Sequence, residues 1–134
     1  MKRWIAMAII MFLAAAVPSM GSMDADTSRA DSVRAAAPAV GKKVTLIELG
    51  SMKCTPCQMM HIILKEIKSE FSEDVNVVFY NVRTKAGRPL AEKYRIGMIP
   101  TQIFLDENGD EFFRHEGYFP KKEIVKVLKQ KGVQ

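Results

Sequence analysis

The chain has 134 residues (15.1 kDa), 48% hydrophobic and 26% charged. That is the composition of one small globular domain and excludes a disordered chain, a collagen and a polytopic membrane protein. Twenty Lys+Arg against 15 Asp+Glu leave a net charge of +5, but no dense basic cluster forms a phosphate-tracking stripe, so no nucleic-acid partner is expected.

Lys2 and Arg3 precede an uncharged apolar run, Trp4 to Val17, and then Pro18, Ser19, Met20, Gly21 and Ser22. A basic start, an apolar middle and a small-residue exit predict a secretory signal peptide over residues 1–21, cleaved after Gly21 with Ala16 as a competing exit. The alternative is an uncleaved anchor, for which Trp4 to Val17 is short of the roughly 17 residues that a span needs. No cysteine lies near the exit, so lipid attachment there is excluded. Either way the remainder is expected outside the cytoplasm, in the periplasm, where disulfide chemistry persists. Residues 22–41, rich in Ala, Asp, Ser and Arg, read as a linker or loosely packed arm, and residues 42–134 as the folded domain.

Val44 to Leu49 is short, apolar and β-rich, a buried central strand with one out-of-place carboxylate, Glu48. Gly50-Ser51 breaks it. From Pro56 to Phe71, Met60, Ile63, Leu64, Ile67 and Phe71 recur on one helix face, with Lys65, Glu66, Lys68, Ser69 and Glu70 on or near the other. Val75 to Val82 reads as a second strand, buried on both faces. Pro89 to Tyr94 is a short helix. Gln102 to Leu105 and Glu111 to Arg114 flank Asn108-Gly109, a hairpin signal. Pro120 opens a last helix carrying Ile124, Val127 and Leu128. The order β-α-β-α-β-β-α gives an α/β fold, a mixed sheet between helices.

Both cysteines sit in Cys54-Thr55-Pro56-Cys57, where the first strand ends and the long helix begins. A pair three apart at a helix start closes a small disulfide ring without unwinding the helix. Cys54 lies where unpaired N–H groups and the macrodipole favour a thiolate, while Cys57, one turn in, stays a thiol until it attacks. Pro56 suits the first turn because its missing N–H had no helical partner there. Competing readings are an inert structural disulfide, a merely buried reduced pair, and a zinc site of Cys54, Cys57, His61 and His115. The ring closes too little chain to stabilise much, and His115 is distant in sequence. Dithiol chemistry is the reading that position favours; no metal or cofactor is expected.

Strand, Cys-x-Pro-Cys, helix, strand, then Ile99-Pro100-Thr101 before a hairpin resembles the thioredoxin family over about residues 42 to 132. The resemblance implies a thioredoxin-like fold with helices on both sheet faces. It also implies a cis Pro100 against the disulfide and an Ile99 backbone that pairs with extended substrate. Glu48 would be the buried acid that takes the proton from Cys57; its bland reading is a strand carboxylate reaching a lysine or the sheet edge. Gly117 resembles the glycine that keeps the substrate groove open, and reads equally as a turn before the last helix. Three departures stand out. Lys53 replaces the usual aromatic before the first cysteine, the lysine usually paired with the acid is replaced within Val77-Val78-Phe79-Tyr80, and no clear strand and helix precede Val44.

Strongly oxidising members of that family carry histidine before the second cysteine, and Pro56 stands there instead, as in the reducing ones. The expected function is therefore an exported, monomeric reductase of protein disulfides. It would be fed by a membrane-embedded disulfide-relay protein, with apocytochrome c as one candidate substrate. The alternatives are a disulfide oxidase or isomerase, and a non-catalytic peptide-binding module with a groove at Pro100.

Overall fold

The computed structural model describes residues 36–134. The expected signal peptide, its cleavage site and most of the expected arm lie outside the described residues. Seven elements follow in the expected order: β1 (Val44–Gly50), α1 (Thr55–Glu70), β2 (Val75–Asn81), α2 (Arg88–Lys93), β3 (Thr101–Asp106), β4 (Glu111–Glu116) and α3 (Lys121–Lys129). Among the described residues, no strand precedes β1 and no helix is long and apolar enough to cross a membrane.

The sheet runs β2-β1-β3-β4; β2 is parallel to β1, and β3 and β4 each run antiparallel to the strand before them in that order. All seven residues of β1 are buried, as an apolar strand with neighbours on both sides requires. β2 corrects the expectation of a strand buried on both faces. Among the described residues it is the sheet edge, and only Val75 is fully buried, with Asn76 to Asn81 half-buried. An apolar run marks a strand but carries no information on whether a further strand covers it.

Successive β1 side chains point to opposite faces and so feed two cores. Leu46 joins Phe104 with Met60, Leu64 and Ile67 of α1 and Ile124, Val127 and Leu128 of α3. Ile47 and Leu49 join Ile103, Leu105 and Leu90 of α2 on the other face. Ala36, within the stretch expected as an arm, packs on this second cluster, and the Tyr80 and Tyr94 hydroxyls bond to its backbone. On the first face Phe104 lies edge-on to Phe112, Phe113 and Phe119 at 5.5–6.4 Å between ring centroids. Lys121 of α3 bridges to Glu66 and Glu70 of α1.

In the turn between β3 and β4, the Asp106 Oδ1 accepts hydrogen bonds from the Asn108 and Asp110 N–H groups at 3.0 and 3.1 Å. Gly109 takes a φ of +87°, the left-handed backbone that the turn needs.

Candidate active site

β1 ends at Gly50 and α1 starts at Thr55, so the four residues between them place both cysteines at the C-terminal edge of the sheet. The Ser51 carbonyl accepts from the Cys54 N–H at 3.2 Å, its hydroxyl accepts from the Lys53 N–H at 3.2 Å, and the Gln58 amide donates to the Met52 carbonyl at 2.8 Å. Cys54 is the N-cap of α1, with extended φ and ψ, and its Sγ accepts the Cys57 N–H at 3.4 Å. Pro56 occupies the first turn and no acidic residue does, so nothing there opposes negative charge on Cys54. The two cysteines form a disulfide with Cα atoms 5.2 Å apart. Cys54 is half-buried and opens into a cavity of about 440 Å³, whereas Cys57 beneath it is 1% exposed.

Ile99 lines the same cavity as Cys54, and the Ile99–Pro100 peptide bond is cis. The segment is held at both ends. Thr101 Oγ1 donates to the Met98 carbonyl at 2.7 Å, and the Gly117 N–H donates to the Pro100 carbonyl at 2.7 Å. Gly117 has a φ of +91° and open space where a Cβ would stand.

Glu48 is completely buried, and neither carboxylate oxygen has a hydrogen-bond partner among the described residues. Uncompensated burial pushes its carboxyl up to about 8. Gly50 shows how close this group lies to the cysteines. A Cβ there would meet Glu48 Oε1 at 3.3 Å, the Phe79 ring at 3.3 Å and Cys57 Cβ at 3.5 Å. Register explains the company: Phe79 of β2 and Gln102 of β3 are the direct neighbours of Glu48, and His115 of β4 is the neighbour of Gln102. The carboxyl thus has an aromatic ring where the resemblance implies a lysine.

Gln102 is the residue that sequence reading missed. It is fully buried, its Nε2 donates to the Gly117 carbonyl at 3.3 Å, and its Oε1 has no partner among the described residues. The available signal was one amide in the otherwise apolar strand from Gln102 to Leu105. His61 and His115 do not converge on the cysteines. His61 packs edge-on against Phe79 at 5.6 Å and His115 stacks on Phe119 at 4.1 Å. Among the described residues no group of three or more His, Cys, Asp or Glu could hold a metal ion.

This arrangement supplies an accessible sulfur at a helix N-terminus, a shielded second sulfur, and close to the latter a carboxyl that burial pushes up to about 8. The family defined by the thioredoxin-like domain matches residues 30–132, and the chain belongs to that family. A thiol:disulfide interchange protein TxlA homolog of Synechocystis sp. is 33% identical over 86 residues, 64% of this chain and 46% of that protein. The prophage-derived thioredoxin-like protein YosR of Bacillus subtilis is 29% identical over 85 residues, 63% of this chain and 95% of the relative. The chain spans about half the length of the first of these curated relatives. Chloroplastic thioredoxin z superposes with a TM-score of 0.61 at 21% identity, covering 69% of this chain and 81% of that one, and so shares the fold.

Proposed function

We propose that the protein is a thiol–disulfide oxidoreductase that works as a reductase of protein disulfides. The observation that carries this is the placement of Cys54 at the N-cap of α1, facing a cavity, above a Cys57 that solvent does not reach. In the reduced state the Cys54 thiolate attacks a substrate disulfide, forming a mixed disulfide and releasing one substrate thiolate. Cys57 then gives its proton to Glu48 and attacks the Cys54 sulfur. This restores the Cys54–Cys57 bond and releases the second substrate thiolate, so two electrons pass from the dithiol to the substrate. With its carboxyl pushed up to about 8, Glu48 is ionised only in part at neutral pH, and that ionised fraction is the proton acceptor, so resolution is expected to quicken as pH rises towards 8. Ile99, which lines the Cys54 cavity and precedes the cis bond to the buried Pro100, would lie beside the substrate strand.

Pro56 supports the reducing direction. Oxidising power grows with stabilisation of the thiolate, and the two-residue spacer offers it no cation. One observation favours the opposite, oxidising reading: Lys53 and Arg83 line the Cys54 cavity and would stabilise the thiolate. The basic and apolar run of residues 2–17 and its small-residue exit support work outside the cytoplasm. Electrons would then come from a membrane-embedded disulfide-relay protein, and apocytochrome c is a fitting substrate. An insulin-reduction assay tests the reading. The full chain is expected to reduce insulin and Cys54→Ser to lose all activity, whereas activity surviving in Cys54→Ser would remove Cys54 as nucleophile.

A further inference from the structure

Charge around the disulfide is one-sided. The Cys54 cavity, about 440 Å³, adjoins a second of about 350 Å³; Arg83 and Ile99 line both. Lys53 and Arg83 face the first and Arg83 and Arg88 the second, and among the described residues no Asp or Glu lines either. None of these three cationic heads takes part in an ion pair or side-chain hydrogen bond among the described residues, although six ion pairs form elsewhere on the surface. One carboxylate approaches the far end: Glu116 Oε1 lies 3.8 Å from where a Cβ on Gly97 would stand. Ser51, Asn81 and Thr84 add polar lining to the first cavity, whereas Ile96, Met98 and Ile99 make an apolar wall in the second, with Met98 52% exposed.

The backbone that carries Arg83 and Arg88 is fixed by local hydrogen bonds. The Arg83 N–H donates to Asn81 Oδ1 at 3.1 Å, and the Thr84 hydroxyl donates to the Asn81 carbonyl at 2.8 Å and accepts the Gly87 N–H at 3.0 Å. This turn carries Arg83 into the gap between β2 and α2 and leaves Arg88 at the start of α2.

We propose that this double cavity is a specificity groove for extended peptides whose disulfide cysteine is flanked by Asp or Glu together with an apolar residue. The proposal rests on the oxidoreductase reading for its use, with Cys54 as the reacting sulfur, and names the substrate class of that site. Carboxylates pair with Arg83 and Arg88, the apolar side chain lies on Ile99 and Met98, and the target sulfur is delivered to Cys54. Complementary charge at such a rim acts mainly on encounter rate and on choice of partner, and it is screened by salt.

The test uses the full chain and two peptides of identical length, each with one serine in place of the target cysteine, flanked by Asp and Glu in one and by Lys in the other. Binding is read by fluorescence anisotropy at low and high salt. The acidic peptide is expected to bind at least about tenfold more tightly at low salt, with the ratio collapsing in high salt and falling to near one in both Arg83→Glu and Arg88→Ala. Equal affinities in the wild-type protein, or a preference unchanged in both variants, would overturn the proposal. A separate arm mixes the pre-reduced wild-type protein with neutral 2-hydroxyethyl disulfide and follows thiol release. A protein that shows the acidic preference but releases no thiol keeps the groove and loses the redox reading.

Discussion

Cys54 and Cys57 differ in burial far more than in sequence position, and in the proposed reaction that difference divides their labour. Cys54→Ser is expected to abolish disulfide reduction. Cys57→Ser is expected to accumulate a mixed disulfide with substrate, read by mass spectrometry as one protein–substrate adduct that dithiothreitol removes. Rapid release of substrate from Cys57→Ser would mean that Cys57 is not the resolving thiol. In the proposed reaction Glu48 acts one step later. Glu48→Gln keeps the side chain's size and removes the proton acceptor, so resolution of the mixed disulfide is expected to slow by about 10²-fold while the first attack is unchanged. Stopped-flow traces separate the two phases, and equal slowing of both would point to a structural effect instead. The cysteines and Glu48 were legible in the sequence because spacing and an out-of-place polarity announce them. Gln102, Arg83 and Arg88 were not, since their meaning depends on strand register and on cavities assembled from separate segments.

At the scale of elements, each expected helix and strand is present, with ends within about two residues of where the apolar periodicity stops. β2 is the instructive miss. Val75 to Val82 looks like a core strand, yet among the described residues strand order puts it at the edge, and strand order has no local signature. The connection after β2 shows the reverse, a small feature with structural weight. A Cβ on Gly87 would collide with the Asn81 carbonyl, so the turn holding Arg83 and Arg88 closes only around glycine at that position. Gly87→Ala is expected to cost about 1–3 kcal/mol in chemical denaturation and to weaken the preference for acidic peptides. An unchanged denaturation midpoint would show that the turn relaxes without cost. Phe104, ringed by three aromatics and fully buried, is the corresponding element of the main core, and Phe104→Ala is expected to cost about 3–5 kcal/mol.

For the whole molecule, the buried acid couples stability to pH. The folded chain holds the Glu48 proton up to about pH 8, whereas the unfolded chain releases it near 4.5, the ordinary value for a glutamate. Between those values the folded state binds more protons, so this group's contribution to stability falls as pH rises, by up to about 1.4 kcal/mol per pH unit. Denaturation of the oxidised protein is therefore expected to shift to lower denaturant from pH 5 to pH 8, and Glu48→Gln is expected to lose that slope. Parallel curves for the two proteins would contradict an elevated Glu48 pKa. Function at this scale turns on the direction of electron flow, which the reduction potential of the Cys54/Cys57 couple measures directly. Equilibration of the full chain against glutathione buffers is expected to place it near the reducing end of the family range, about −270 mV. A value near −120 mV, the oxidising end, would contradict the reductase account.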